Sequence, residues 1–595
     1  MMRQEYPRPQ FERKKWINLN GEWSFELDKE AVGQKEKWYL NPKMLSKKIQ
    51  VPFVYQSKLS GVEDKSACEN VWYSRNFNIE ELTETTLLHF GAVDYQASIY
   101  VNNEFVGKHI GGHTSFTFDI SNYVQQGDNV LTLSVFDPLA DEGIPRGKQY
   151  WKETPESIWY TNTTGIWQTV WIEQLADVYL EKVYFTPDLD AQSVKLNIRT
   201  NRVSDDLSIR IKIQFKNQIV VDSTSNLFQA ESEIQFNVLQ NKIMNTVAHG
   251  AGWTWSPENP NLFDVELILM QNGKIIDEVK SYFGMRKIHI ENGKIMLNNR
   301  PYYQKLVLDQ GYWPKSLMTA PTDEDFIKDI QLSKEMGFNG CRKHQKTEDP
   351  RFLYHADRLG FLVWGECAAP ANYHPKSVKL TVNEWDEIIQ RDYNHPSIIA
   401  WTPLNESWGV SEINYNKAQQ HFAQSIYHFV KGQDKTRLVI ANDGWEMIET
   451  DIIGIHNYTH GAANETGKYQ QYIKDLSTRD NLLKATPANR NILLENCVSS
   501  NQPIMLTEFG GIAYNPKAVP EDAWGYSSAT SPEEYVNDYR RTIHAIYQSE
   551  ALVGFCYTQL TDVEQETNGL LTYDRQPKVD LSLIKAINDN MYMED

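Results

Sequence analysis

Two glutamates close apolar runs in this 595-residue chain: Glu406 ends "IIAWTPLNE" and Glu508 ends "IMLTE". A short apolar run reads as a buried strand, so a carboxylate at its end stands where the strand meets solvent. About 100 residues separate the two, roughly three βα units of 30 to 35 residues each. That spacing sets them across the mouth of one barrel. Two carboxyl groups facing each other can cleave a glycosidic bond. One protonates the leaving oxygen, and the other attacks the anomeric carbon or activates water. Taken singly, each glutamate reads equally as a surface residue or an ion-pair partner.

The same strand-end rule gathers further polar groups. "NGCRKHQ" supplies Arg342 and His344, "FLVWGE" supplies Glu366, and Asn405 precedes Glu406. "IIGIHNY" supplies His456, Asn457 and Tyr458, and "VGFCYTQ" supplies Tyr557 and Gln559. Asp309 to Trp313 follow the first strand of the series, where Asp309 would accept a hydroxyl and Trp313 would stack on a ring. His344 and His456 read either as substrate contacts or as partners of their neighbours. His395 in "RDYNHPS" precedes its strand and belongs to the opposite, structural end of the barrel.

The elements that must carry these groups change character along the chain. Residues 1–174 alternate in period two between turn signals, as in "ASIYVNNEFVGKHIGG" and "DNVLTLSVFD", and read as a β jelly-roll sandwich. Residues 175–285 continue as strands ("SVKLNIRT", "SIRIKIQF", "DVELILM") and read as an immunoglobulin-like β-sandwich without a cysteine pair. Residues 286–595 alternate strands and helices. In "EDPRFLYHADRLGFLVWGE", Asp349 caps, Pro350 opens a helix with Phe352, Leu353, Ala356 and Leu359 on one face, and Gly360 stops it. In "SPEEYVNDYRRTIHAIYQ", Ser531 and Glu534 form a capping box. This region reads as a C-terminal (β/α)₈ TIM barrel. The runner-up, an open doubly wound sheet, lacks a glycine-rich phosphate fingerprint after any strand.

Composition bounds the partners. A net charge of −19 without basic clusters excludes nucleic acid as a partner. The 17 Trp and 31 Tyr suit large β cores and also suit sugar rings, whose C–H faces lie on indoles. Five sparse cysteines without metal-site spacing fit a reducing compartment. With no apolar leader in "MMRQEYPRPQ" and no run of 18 apolar residues, the expectation is a cytoplasmic protein without a membrane partner.

Together these stretches resemble glycoside hydrolase family 2, which includes β-galactosidases, β-glucuronidases and β-mannosidases. "LNGEWSFELD", "VPF", "VWYSRNF" and "TGIWQTVWIE" resemble its sugar-binding jelly roll. "WSPENPNLFDVEL" and "YFGMRKI" resemble the end of its middle domain. "RDYNHPSIIAWTPLNES" and "LTEFGG" resemble its barrel signatures. The resemblance implies a retaining mechanism, with Glu406 as acid/base, Glu508 as nucleophile, Asn405 on the sugar 2-hydroxyl and Arg342 beside the nucleophile. Trp401 and Trp408 would then raise the Glu406 pKa by desolvation, and Tyr458 is the best donor to an ionised Glu508. Glu366 stands in place of an expected acidic pair, as a hydroxyl acceptor.

The resemblance has departures. "ETNGLLTYDRQPK" offers Asn568 but no lysine of the Asn-x-Lys element that holds a glucuronate, unless Lys343 or Arg575 substitutes. Tyr557 stands where large β-galactosidases have tryptophan, and their metal-site histidine has no match, so no metal and no cofactor are expected. The expectation is an exo-acting retaining hydrolase for a neutral sugar, a β-galactoside or α-L-arabinoside. The alternatives are a β-glucuronidase or other family specificity, and a non-catalytic carbohydrate-binding protein. The family is often oligomeric, which leaves a homo-oligomer open.

Overall fold

The computed structural model describes residues 3–239, 252–497, 501–516 and 523–591. Met1 and Met2 of the N-terminal stretch lie outside them, as does the chain end at Asp595.

The N-terminal part is a sandwich of a six-stranded and a four-stranded sheet. Its period-two strands put alternate side chains inward. In Gly127–Phe136, Leu131, Leu133 and Val135 are buried in the core with Trp23, Phe25 and Tyr73. Asn102 and Asn103 adopt positive φ (49° and 72°), forming the tight turn between strands Gln96–Val101 and Glu104–Ile110. The middle part packs a three-stranded sheet on a four-stranded one, from Leu180–Asp188 to Lys274–Phe283, as an immunoglobulin-like sandwich. The buried Arg13 guanidinium joins the two, donating to Glu173 at 2.6 Å and to Asp277 at 2.8 Å.

The C-terminal part is a TIM barrel of eight parallel strands: β1 Gln304–Asp309, β2 Gly340–Lys343, β3 Leu362–Glu366, β4 Ile398–Thr402, β5 Leu438–Val439, β6 Ile453–His456, β7 Ile504–Glu508 and β8 Leu552–Tyr557. Regular ladders join every neighbouring pair except β5 and β6. There Asp451 closes the ring, its N–H donating to Val439 O and its carboxylate accepting from Val439 N–H. Trp364, Met505 and Cys556 fill the barrel interior, and the hairpin Ile288–Glu291/Lys294–Leu297 packs against the same core. His395 lies where the sequence put it, bonded at 2.6 Å to Asp357, which also accepts from Tyr282 of the middle sandwich.

With each barrel helix numbered by the strand it follows, helix α2 (Pro350–Leu359) starts and stops as its sequence dictates. Asp349 accepts from Arg351 N–H, and Gly360 takes φ 69°, where a Cβ would lie 2.3 Å from Pro257 O. Helix α7 (Pro532–Tyr547) corrects one expectation. Ser531 accepts from Glu534 N–H, but the Glu534 carboxylate turns back to Thr530, so only half of the capping box forms.

The jelly roll sends residues 138–164 onto the barrel mouth. Gly147 N–H donates to Ala369 O, Thr161 N–H to Glu564, and Tyr160 O–H to Glu566. Gly147 is required there: its φ is 61° and a Cβ would meet Gln345 O at 2.4 Å.

Candidate active site

Six of the eight strands deliver charged groups to one cluster centred on Arg342. This guanidinium is wholly buried on β2. Its Nε donates to Glu366 at 2.6 Å, one terminal nitrogen reaches Thr507 O at 2.8 Å and Asp443 at 3.0 Å, and the other reaches Asn405 Oδ1 at 3.0 Å and Glu508 at 3.1 Å. A planar fork with five donors suits this better than an ammonium would. The neighbouring carboxylates hold Arg342 in its charged form against burial.

Glu508 accepts from the Tyr458 hydroxyl at 2.7 Å. Glu406 sits on a strained turn: φ is 52° at Glu406 and 60° at Ser407, both non-glycine residues in the left-handed region. Glu406 N–H donates to Asp443 O and Ser407 N–H to Asn442, which fixes the turn against the segment after β5. A carboxylate oxygen of Glu406 and one of Glu508 lie within 4.8 Å of each other.

His456, from the end of β6, stands between them. Its Nδ1 is 2.8 Å from Glu406 and 3.5 Å from Glu508, and its Nε2 is 3.4 Å from Asp443. Burial favours a neutral ring, but Glu508 and Asp443 overcome it and lift the pKa to about 10. Burial likewise would raise Glu406, yet the His456 hydrogen bond and charge bring it below its ordinary value. Asp443 is held low against burial by Arg342 and His456. At neutral pH the proton of the Glu406–His456 pair therefore rests on the imidazole. Glu406, His456 and Glu508 are also of metal-ligand type, but a metal would have to displace that proton.

Several sequence expectations need correction. Trp401 does not wall Glu406: it points into the helix layer, donating to Asp434 at 2.9 Å and packing edge-on against Trp385. Trp313 is likewise buried against Phe326, with the Arg575 guanidinium 4.9 Å over its ring. Asp309 is no hydroxyl acceptor, since it pairs with Lys343 at 2.7 Å and accepts from Gly311 N–H. Glu366 is spent on Arg342, His344 and Gln345 N–H. Tyr557 is fully buried behind Gly510 among Phe509 and Tyr539. Gln559 is fully buried in an amide chain, accepting from Gln310 and donating to Asn568. The structure does bring together Glu406, Glu508, Asn405, Arg342, His344, His456 and Tyr458; His344 Nε2 is 4.0 Å from Glu508.

Two residues escaped the sequence reading. Asp443 follows "LVIA", so the strand-end rule applied to β5 finds it. Tyr526, 41% exposed, stacks on Tyr458 with centroids 3.5 Å apart. It comes from an excursion between β7 and α7 that carries no sequence signal.

A jelly roll, an immunoglobulin-like sandwich and a TIM barrel in this order, with carboxylates paired at the barrel mouth, define the multidomain glycoside-hydrolase architecture. The descriptions "Glycosyl hydrolases family 2, sugar binding domain", "Glycosyl hydrolases family 2" and "Glycosyl hydrolases family 2, TIM barrel domain" match residues 16–172, 178–286 and 288–593 in turn. The chain belongs to glycoside hydrolase family 2. A beta-galactosidase of Thermoanaerobacter pseudethanolicus is 30% identical over 351 residues, 56% of this chain and 44% of that protein. A beta-galactosidase of Lactococcus lactis is 27% identical over 457 residues, 71% of this chain and 42% of that protein. A beta-glucuronidase of Rattus norvegicus is 24% identical over 492 residues, 74% of this chain and 71% of that protein. The match thus spans less than half the length of the two galactosidases. Among solved structures, a beta-glucuronidase from an uncultured Clostridium superposes with TM-score 0.78 at 20% identity, covering 99% of this chain and 100% of that one. The Ruminococcus gnavus beta-glucuronidase gives 0.79 at 18%, with the same coverage. At these identities the likeness is one of fold.

Proposed function

We propose that the chain is an exo-acting retaining glycosidase, with Glu508 as nucleophile and Glu406 as acid/base. The observation that carries this is the carboxylate separation, within 4.8 Å. Retaining enzymes hold their carboxyl groups about 5 to 5.5 Å apart, whereas inverting ones leave roughly 6.5 to 9.5 Å for a water. The assignment of roles follows the charges. Glu508 lies 3.1 Å from the Arg342 guanidinium and accepts from the Tyr458 hydroxyl, contacts that suit an attacking carboxylate. Glu406 shares a proton with His456.

In the first step a Glu508 oxygen bonds to the anomeric carbon, the glycosidic bond breaks, and the leaving oxygen takes the proton held by the Glu406–His456 pair. Substrate entry expels water from Glu406, which favours its protonated form at the expense of the charged pair. In the second step Glu406 takes a proton from water. The water oxygen bonds to the anomeric carbon, and Glu508 leaves as a carboxylate. Asn405, whose Oδ1 accepts from Arg342 at 3.0 Å, contacts the 2-hydroxyl in this reading.

A neutral sugar, of β-galactoside or α-L-arabinoside type, fits the surrounding charges. Lys343 is paired with Asp309 and Glu348, Arg575 with Asp329, and Lys578 with Asp562, so none of the three is free for a uronate. The stretch compared with the glucuronate-holding element places the Glu566 carboxylate on Asn568 instead of a lysine. A sugar carboxylate there would be uncompensated, at a cost of several kcal/mol. The second reading, a β-glucuronidase, is favoured by Lys148, which adds positive charge beside Glu406, and by the names of several relatives. A panel of 4-nitrophenyl glycosides decides. Fastest release from the β-galactoside or α-L-arabinopyranoside supports the first reading, and fastest release from the glucuronide overturns it. Binding without release from any member supports the non-catalytic alternative.

A reducing, cytoplasmic setting is supported by five cysteines that are all free. Among the described residues no helix is long and apolar enough to cross a membrane.

A further inference from the structure

A row of indoles crosses from the jelly roll to the barrel beside Glu406. Trp151 meets Trp159 edge to face at 5.3 Å, and Trp159 meets Trp408 at 5.1 Å. Trp408 follows the Glu406 turn, its backbone N–H donating to Asn405 O at 2.9 Å. Trp151, Trp159, Lys148, Asn405 and Trp408 line one recess. Trp151 is 45% exposed, a large apolar group left open to water. The loop that carries it is fixed before any ligand arrives, through Gly147 on the barrel backbone and Thr161 on Glu564.

We propose that Trp151, Trp159 and Trp408 form the leaving-group subsite, which takes a flat apolar face: an aromatic ring or the C–H face of a second sugar. This rests on the glycosidase reading and deepens it. The acid/base must touch the glycosidic oxygen, so the leaving group lies on the Glu406 side, away from the Tyr458–Glu508 wall. Lys148, whose charge acts on Glu406, and Asn405 line the same recess as these indoles, which puts that recess on the Glu406 side. Lys148, whose charge reaches Glu406, supplies a donor for a hydroxyl or carboxylate on the leaving group. An indole face suits both a pyranose and an arene. The specificity for what is released is therefore set largely by the jelly roll, and that for the retained sugar by the barrel.

The test compares Trp151→Ala with the unaltered protein on two substrates of the sugar identified by the panel: its phenyl glycoside and its glycosyl fluoride, which has no leaving ring. The subsite predicts at least a tenfold loss of kcat/KM on the phenyl glycoside, mainly through KM. It predicts less than a threefold loss on the fluoride, and recovery in Trp151→Phe. Equal losses on both substrates, or no loss on either, would overturn it. A matching series with a disaccharide separates the sources: a greater loss on the disaccharide than on the phenyl glycoside marks the natural occupant as a sugar, and the reverse as an arene. If the unaltered protein releases nothing from any glycoside, the glycosidase reading fails, and tryptophan fluorescence still judges the platform. Phenyl β-D-galactoside should then quench the unaltered protein and not Trp151→Ala; no quenching in either would overturn the subsite.

Discussion

His456 is the residue on which the proton inventory turns. Its pKa is lifted from the usual imidazole value to about 10, so it stays charged through neutrality and loses its proton only as pH rises through that value. The stability that the charged ring contributes is likewise full below about 6.5 and lost as pH passes 10. If the pair's proton serves the leaving group, the basic limb of kcat/KM follows the pair. In His456→Asn the cation is gone and Glu406 titrates alone, so that limb should move to lower pH by at least one unit; a pH–rate profile reads it. An unmoved limb would assign the proton elsewhere. Because a metal at Glu406, His456 and Glu508 would have to displace that proton, dialysis against EDTA should leave activity within twofold. A loss restored by added divalent cation would contradict this.

Strand β2 is the element with the most at stake, because it buries Arg342 among Glu366, Asp443 and Glu508. Arg342→Met leaves those carboxylates without their cation and should cost about 3 to 5 kcal/mol, read as a fall in Tm and in denaturant midpoint. Arg342→Lys keeps the charge but loses the fork, so it should recover part of the stability. At the start of α2, Asp349→Ala should cost about 1 kcal/mol. Elements of this kind were legible in the sequence: cap, proline, apolar face and glycine stop mark α2, and polar strand ends mark Arg342, Glu406, His456, Tyr458 and Glu508. The facing of aromatic residues was not legible. Parallel barrel strands are apolar on both sides, so periodicity does not say which side is the mouth and which the helix layer. That is why Trp401 and Tyr557 read as pocket residues and lie behind it, whereas Trp313, four residues past β1, is a loop residue whose facing no strand periodicity governs. Asp443 lies within reach of the same rule, two residues past "LVIA".

At the scale of the molecule, the candidate site belongs to more than one domain. Tyr160 and Thr161 of the jelly roll bond to Glu566 and Glu564 of the barrel, about 400 positions away in sequence, beyond any local pattern. Arg13, in turn, ties the jelly roll to the middle sandwich through Glu173 and Asp277. Arg13→Ala leaves the buried Asp277 without its cation and Glu173 with Arg8 alone, and should destabilise by about 3 kcal/mol, with calorimetry showing an earlier or divided transition. A single unshifted transition would show that the domains are coupled by other contacts.

The retaining mechanism requires that Glu508 form a covalent bond to the sugar. The direct measurement is mass spectrometry of the protein after incubation with a 2,4-dinitrophenyl 2-deoxy-2-fluoroglycoside of the sugar identified by the panel, followed by peptide mapping. One adduct per chain is expected, carried by the peptide containing Glu508 and absent in Glu508→Gln. An adduct on another residue, or turnover of the parent glycoside with inverted product and no adduct, would contradict it.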